Sequence, residues 1–369
     1  MELYLLGWLS FIFTAFQVRL LFRKSPLFRK LPFSVPNMPE NLDISIIVPC
    51  RNEESNIGDF LKAATNLSPA PREIIVVDDQ SSDSTAIIAH SFPGVKVVST
   101  SSLPPTWVGK NWACAAGAKA AQGRYLLFTD ADTRLESESL GSALEYLVSK
   151  NLNFVSAVPQ ILCKNDWEYI QGAFWMIILA ISHHPYWKFH FCIGQFLLFE
   201  TQSYQEMDGH TAVKESAAED LAILSKGMKL NYRYGVCSPG LYKVRMYNTG
   251  FLAFLNGWTR ILRLGLKRSS IAPLTITFLF IMHLGLPIYS GITILMGLTQ
   301  SLSQIAIISS FMISTLFIHW GAKRILGKNH WINWFYPLAL ILFLLIMMKV
   351  IIEKVMQKPI YWRSREIPS

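Results

Sequence analysis

Charge is scarce in this sequence. Asp, Glu, Lys and Arg make up 16% of its 369 residues, against roughly 25% in an ordinary soluble domain. That deficit, with 51% hydrophobic residues and a mean hydropathy of +0.30, excludes a disordered chain and argues against a wholly soluble enzyme. Cysteine is sparse too. Cys50, Cys114, Cys163, Cys192 and Cys237 form no C-x-x-C pair, so they read as packed thiols of a reducing compartment rather than a disulfide frame or zinc site. No G-x-G-x-x-G follows the first hydrophobic strand, and Gly109-Lys110-Asn111 lacks the loop of a Walker A motif. A conventional dinucleotide fold and a P-loop are thereby excluded. Repeats and low-complexity tracts are absent as well.

What is present is apolar at both ends and basic. The chain carries 34 Lys+Arg against 25 Asp+Glu, a net charge of +9. This points to an anionic membrane surface or anionic substrates before nucleic acid, for which no fold signature appears. Residues Leu3 to Val18 are nearly uninterrupted apolar sequence, followed by Arg19, Arg23, Lys24, Arg29 and Lys30 with no small-residue cleavage site. The expectation is a transmembrane anchor over 1–22 and a basic linker over 23–41 on the cytoplasmic side. Near the other end, Ala272–Leu298, Ile305–Trp320 and Trp334–Ile352 predict three further membrane helices within 271–352, the middle one short. Trp331, Trp334, Tyr336 and Trp362 stand where interfacial aromatics do. Four strict spans cannot put both the Lys323/Arg324/Lys328 loop and the basic tail 353–369 in the cytoplasm, so one segment is expected to be re-entrant or interfacial.

Residues 42–250 read as an α/β domain. Short β-branched or aromatic runs at Ile44–Pro49, Glu73–Val77, Val95–Ser99 and Arg124–Thr129 alternate with helical segments near 56–67, 85–90 and 113–121. Such alternation predicts a doubly wound, mostly parallel sheet with flanking helices, whose ligands bind beyond the carboxyl ends of the strands. Acidic residues gather there. Asp130-Ala131-Asp132 sets two carboxylates at i and i+2, able to hold a hard divalent cation against a nucleotide pyrophosphate, although Asp is also common in solvated turns. Asp78 and Asp79 end the second strand, where a carboxylate can accept from a base N–H or a ribose hydroxyl; Asp83 reads as a helix cap. Glu219-Asp220 opens a helix, where acids also complement the dipole. Met207-Asp208-Gly209-His210 is a turn whose histidine is either a site residue or a satisfied internal one. Phe251 to Arg268 reads as a basic amphipathic helix over 251–270, and Gly172–Ile181 as an apolar stretch too short to span.

In order, Ile47-Val48-Pro49 with Arg51-Asn52-Glu53, Val77-Asp78-Asp79 with Ser82-Asp83, Gly109-Lys110, Asp130-Ala131-Asp132, Gly209-His210 and Glu219-Asp220 resemble the family 2 inverting glycosyltransferases of GT-A fold, over about residues 42–230. Leu103-Pro-Pro-Thr-Trp107, Gly109-Lys110-Asn111-Trp112 and Gly257-Trp258-Thr259-Arg260 are similar to a narrower group, the bacterial membrane transferases that glycosylate carotenoid and hopanoid acceptors. The resemblance implies that Pro49 and Glu53 line the nucleoside pocket and that Asp79 contacts uridine. Lys110 approaches the donor phosphates, Asp132 with Asp130 holds Mn²⁺ or Mg²⁺, and Asp220 is the general base. His210, Trp258 and Arg260 are candidate acceptor or phosphate contacts. The donor it implies is a UDP-sugar, UDP-glucose first, and the acceptor a lipid in the bilayer. Processive synthases carry Q-x-x-R-W after the base, which Asn256–Arg260 does not match; this favours transfer of a single sugar. A polyprenyl phosphate, glycerolipid or ceramide acceptor remains an alternative on the same fold. A membrane scaffold or flippase with a nucleotide-sugar-sensing domain is the non-enzymatic one.

Overall fold

The computed structural model describes residues 39–182, 192–247, 250–266, 302–362 and 365–367, with isolated positions within 11–19 and 292–296. The expected N-terminal anchor, most of the basic linker and the span Ala272–Leu298 lie outside the described residues, apart from those isolated positions.

Four strands follow the β-branched runs: β1 (Asn41–Cys50), β2 (Ala70–Asp78), β3 (Val95–Ser99) and β4 (Tyr125–Thr129). They are parallel neighbours in the order β3-β2-β1-β4. Helices cover both faces of such a sheet, so its central strands bury nearly every side chain. Ile46, Ile47, Val48, Ile75, Val76, Val77 and Leu127 are accordingly inaccessible. The crossovers are α1 (Ile57–Ala64), α2 (Thr85–His90) and α3 (Gly109–Ala120). Helix α3 starts four residues before the expected Ala113. Its first turn is polar and was not legible as helix, but it is held by tertiary hydrogen bonds: Val108 N donates to Lys214 O at 2.8 Å.

The sheet then reverses direction, which periodicity did not reveal. β5 (Thr133–Leu135) and α4 (Ser139–Ser149) lead to β6 (Phe154–Ala157) and β7 (Gln160–Ile161). β8 (Phe196–Glu200) runs antiparallel between β4 and β6, and β9 (Tyr234–Cys237) lies parallel on β6, completing the order β3-β2-β1-β4-β8-β6-β9. The expected mostly parallel sheet therefore carries one antiparallel strand beside the Asp130 end of β4. A second sheet, β5-β10-β7 with β10 at Tyr242–Val244, begins immediately after Asp132. α6 (Thr201–Glu206) and α7 (Glu219–Lys229) follow β8. Phe128, Phe154, Phe199 and Tyr204 pack beneath them, with Phe154 and Phe199 stacked at 4.9 Å between centroids.

The chain divides into two compact units. Arg29–Leu162, His190–Arg245 and Pro359–Ser369 make up the α/β unit, and Cys163–Phe189 and Met246–Lys358 belong to the helical one. The expected continuous domain 42–250 is thus interrupted: its apolar stretch is helix α5 (Ile170–Ser182), a member of the helical unit. Gly172 and Gly321 let α5 lie close on helix α9 (Leu302–Leu326). A Cβ at Gly172 would stand 2.8 Å from Ala322 Cβ, and one at Gly321 would stand 2.2 Å from Met176 Sδ. The tail also departs from expectation, since Ile360–Trp362 and Arg365–Ile367 pair as a hairpin of the α/β unit.

Helix α8 (Phe251–Leu266) buries Phe254 and Trp258 against Phe174, and its Arg263 is paired with Glu353 of α10 (Tyr336–Val355) at 3.2 Å. The polar side expected to face an interface is in part spent within the unit. Gln304–Leu326 and Trp331–Val355 are long and apolar enough to cross a membrane. The middle span is longer than the expected Ile305–Trp320. It runs on past Trp320 to Leu326, where Lys323 and Arg324 end the apolar run in the sequence; along it Gln304, Ser310 and Ser314 are buried while Leu302, Ile305 and Met312 are about 60% exposed. Ser310 finds Thr14 at 2.6 Å between their oxygens, and Thr315 donates back to Phe311 O at 2.8 Å.

Candidate active site

At the ends of β1 and β2, two loops are tied to each other. Asn52 N donates to Ser81 Oγ (3.0 Å), Glu53 N to Thr85 Oγ1 (2.8 Å), Ser82 N to Asn52 Oδ1 (2.9 Å) and Ser84 N to Glu54 Oε2 (3.1 Å). Asn52 and Gln80 both take left-handed backbone, φ 54 and 56, a conformation polar turn residues tolerate. Asp83 stands one residue before the N-cap Ser84 and accepts from Thr85 N at 3.0 Å and from Glu54 N at 3.1 Å, an Asx-type turn rather than the cap itself. Those bonds hold its carboxyl below the usual range against a burial that pushes the other way. Glu53 accepts from Asn56 Nδ2 at 2.7 Å, and Pro49 is half-buried at the end of β1. Asp79 is buried; Thr100 Oγ1 donates to its Oδ1 at 3.0 Å and Arg51 Nη1 to its backbone oxygen at 2.7 Å. Asp78 is also buried and receives Ser81 N. The Cys50 thiol is pushed well up by burial and then by Glu53, Asp78, Asp130 and Asp83, carboxylates from three successive strand ends.

The second group centres on Lys110. α3 delivers its Nζ to 2.7 Å from Asp130 Oδ1 and 2.7 Å from Glu219 Oε1. Burial alone would lower its pKa, but Asp130 and Glu219 reverse this and hold it well above the ordinary value. Asp220 lies beside this pair. Its Oδ2 accepts from Gly194 N at 3.1 Å and its Oδ1 from Leu221 N at 2.7 Å. Burial first, and the neighbouring Glu219 charge second, push its carboxyl up to about 7. A Cβ at Gly194 would stand 2.7 Å from Glu219 Oε1 and 3.4 Å from Lys110 Nζ, so a side chain there would displace the Lys110–Glu219 pair. Tyr242 is fully buried on β10 and donates to Ala157 O at 3.3 Å; its phenol is raised well above its ordinary value by burial, then by Asp130, Asp132, Cys192 and Asp220. Asp130, Asp132 and Asp220 thus act on one hydroxyl.

Asp132 is exposed and Asp130 half-buried. No group of three His, Cys, Asp or Glu side chains able to hold a metal occurs among the described residues. Two carboxylates suit a hard cation of the Mg²⁺ or Mn²⁺ kind, which takes one or two protein carboxylates and completes its shell with phosphate oxygens and water. The donor set fits on those terms.

The other three candidates are His210, Trp258 and Arg260. His210 is 1% exposed, with Nδ1 2.9 Å from Tyr204 Oη and its ring 4.7 Å from that of Phe128. Burial, with Lys110 nearby, drops its pKa to about 3. It is a satisfied neutral core histidine, and the reading as an acceptor or phosphate contact is corrected accordingly. The turn before it requires glycine: Gly209 has φ +41 and a Cβ would meet Tyr204 Cζ at 2.1 Å. Gly209→Ala is expected to cost at least ~2 kcal/mol, read as a lowered Tm in thermal unfolding. Trp258 and Arg260 belong to the helical unit; Trp258 is 2% exposed among Phe174, Trp175 and Phe254, so the side chain is committed to packing there.

Sequence reasoning missed Gly194 and Tyr242, which lie in segments without a motif. The signal for the Arg51–Asp79 contact was an Arg directly after a buried strand.

Residues 45–208 match the family model described as Glycosyl transferase family 2. The 4,4'-diaponeurosporenoate glycosyltransferase of Staphylococcus haemolyticus (strain JCSC1435) is 28% identical over 236 residues, covering 60% of this chain and 61% of that protein. Its counterpart in Staphylococcus aureus (strain MRSA252) is 25% identical over 237 residues, with coverage of 60% and 61%. The match thus spans about 61% of the length of these curated relatives. Among solved structures, the mannosyltransferase PcManGT from Pyrobaculum calidifontis, in complex with GDP-Man and Mn2+, is similar in fold, with a TM-score of 0.55 and 15% identity over 96% of this chain and 99% of that one.

Proposed function

Since residues 45–208 form a glycosyl transferase family 2 domain, we propose that this chain transfers a single hexose from a nucleotide sugar, UDP-glucose first, to a lipid hydroxyl or carboxylate of carotenoid or hopanoid type, with inversion. The observation that carries this is the grouping of Lys110, Asp130, Glu219 and Asp220: a cation for the donor phosphates beside a carboxylate tuned near neutrality. The names of the carotenoid-acid relatives support the acceptor class.

Asp220 takes the proton of the attacking acceptor hydroxyl; a base with a pKa near the working pH is the efficient choice, worth typically about 10²–10⁴-fold. One base facing one leaving group gives in-line displacement, so an α-linked donor yields a β-glycoside with no covalent enzyme intermediate. Lys110 offers its ammonium to the diphosphate as negative charge develops on it. Asp130 and Asp132 would hold the divalent cation, Mn²⁺ or Mg²⁺, which when bound neutralises that diphosphate. Asp79, pinned by Arg51 and Thr100, faces the nucleoside end together with Pro49 and Glu53.

The bilayer is the acceptor's solvent in this reading. Two helices long enough to span support it, as does α9, which exposes Leu302, Ile305 and Met312 while burying Gln304, Ser310 and Ser314. We place the chain in the cell membrane as a multi-pass protein with its catalytic domain cytoplasmic.

The test supplies radiolabelled UDP-glucose, Mg²⁺ or Mn²⁺ and a lipid extract containing carotenoids and hopanoids to membranes carrying the protein. Label enters the organic phase for the wild type and not for Asp132→Asn or after chelation. Donor binding without any such label sinks the transferase reading and leaves a sensor.

A further inference from the structure

The first turn of α3 does more than deliver Lys110. Asn111 follows it and is fully buried. Its Nδ2 lies within donating distance of three backbone carbonyls, Val213 O at 2.9 Å, Lys214 O at 3.1 Å and Ser216 O at 2.9 Å. Three acceptors around one nitrogen fix the orientation of the amide, because an oxygen turned toward them would meet no donor. The consequence is that Oδ1 is buried with no hydrogen-bond partner. A buried acceptor left unmade is a standing cost, tolerated where the other half of the group is needed for something else.

That need is visible in what the carbonyls belong to. They come from the segment that runs directly into Glu219 and Asp220, and Lys214 O also receives Val108 N. Lys110 holds Glu219 itself. Three residues of one short stretch, Val108, Lys110 and Asn111, therefore grip the approach to Asp220 through a backbone N–H, an ammonium and an amide. Within that grip Asn111 gathers three carbonyls whose dipoles would otherwise repel one another.

We infer that Asn111 is a positioning residue for the base: by gathering the carbonyls of Val213, Lys214 and Ser216 it sets where α7 begins, and hence where the Asp220 carboxylate stands relative to Lys110. The inference rests on the proposed transfer reaction with Asp220 as base. Asn111 touches neither substrate nor Asp220, so it acts only through the segment it holds.

A packing role and this role predict opposite orders for two substitutions. Asn111→Asp keeps the volume but turns a carboxylate on three carbonyl oxygens, whereas Asn111→Ala removes the volume and the donor together and adds no charge. Transfer by the full chain in membranes, measured from pH 6 to 9, distinguishes them. Asn111→Asp is expected to lose about 10²-fold in kcat at pH 8, the scale of a misplaced reacting group, with donor KM little changed, and to lose more than Asn111→Ala. Its deficit relative to wild type narrows as pH falls, because the protonated acid regains a donor. An Asn111→Asp enzyme as active as wild type, or less impaired than Asn111→Ala, overturns the inference. If Asn111→Asp does not fold, Asn111→Ser decides: keeping one donor, it must exceed Asn111→Ala in kcat, and equality overturns the inference. Wild-type membranes that transfer no sugar overturn the transferase reading and this assignment with it, a result distinct from normal activity in the variants.

Discussion

On the proposed reaction with a hydroxyl acceptor, Asp220→Asn is expected to lower kcat by about 10²–10⁴-fold while leaving the KM for the nucleotide sugar unchanged, because there the side chain would meet the acceptor's proton and not the donor. The pH profile carries the same argument. Burial and Glu219 hold the Asp220 carboxyl near 7 instead of 3.8, so wild-type kcat/KM rises with pH through about 7 as the base loses its proton. Stability runs the other way. A group whose folded pKa lies above its ordinary value contributes stability that is complete below that ordinary value and is lost as pH rises through the folded one. Wild-type Tm therefore falls between about pH 4 and 7 on account of this residue, and Asp220→Asn flattens that fall. Transfer kinetics and thermal unfolding on the same two proteins check both halves. Undiminished kcat in Asp220→Asn would remove Asp220 as base and point to an acceptor that arrives without a proton to lose.

Lys110→Met is expected to damage stability and turnover together. It leaves Asp130 and Glu219, which share the ammonium at 2.7 Å each, facing one another and Asp220 with no cation between them. Breaking a fully buried pair from one side costs about 3–5 kcal/mol. Here the carboxylates keep 29% and 11% of their exposure, and solvent screening reduces the expected loss to roughly 2 kcal/mol. On the proposed reaction donor KM rises as well, since the ammonium that would face the phosphates is gone. The more negative cluster should in turn bind a hard cation more tightly, so Mn²⁺ or Mg²⁺ raises the Tm of Lys110→Met by more than it raises that of the wild type. Thermal unfolding with and without metal reads this without any turnover. Equal metal responses in the two proteins would separate Lys110 from the cation site.

The parallel half of the sheet was legible because its strands are buried on both faces. Ile46–Val48 and Ile75–Val77 could hardly be anything but interior strands, and the acids after them had to lie at one edge once the strands were parallel. β8 was not legible. Its run Phe196–Phe199 looks like any buried strand, and only its pairing with β4 and β6 makes it antiparallel. Helix α5 was ambiguous for a similar reason: an apolar decapeptide says that it is buried, not which partner buries it. His210 shows the limit of motif reading, since a histidine beside a glycine turn looks the same in sequence whether its ring faces a ligand or, as here, Tyr204 and Phe128.

By itself the sequence determined the class of the protein: a parallel α/β domain with carboxylates at its strand ends, between apolar segments, with no P-loop and no dinucleotide fingerprint. These are properties of residue type at fixed local spacing, which period-2 runs and turn chemistry express without reference to the rest of the chain. Only the tertiary structure decided that Lys110 bridges Asp130 and Glu219, that Gly194 offers its N–H to Asp220, and that Tyr242 lies beneath the carboxylates. Those partners are separated by 20 to 112 residues, and what joins them is the packing of α3, α7, β8 and β10 around one edge of the sheet, for which no local pattern codes.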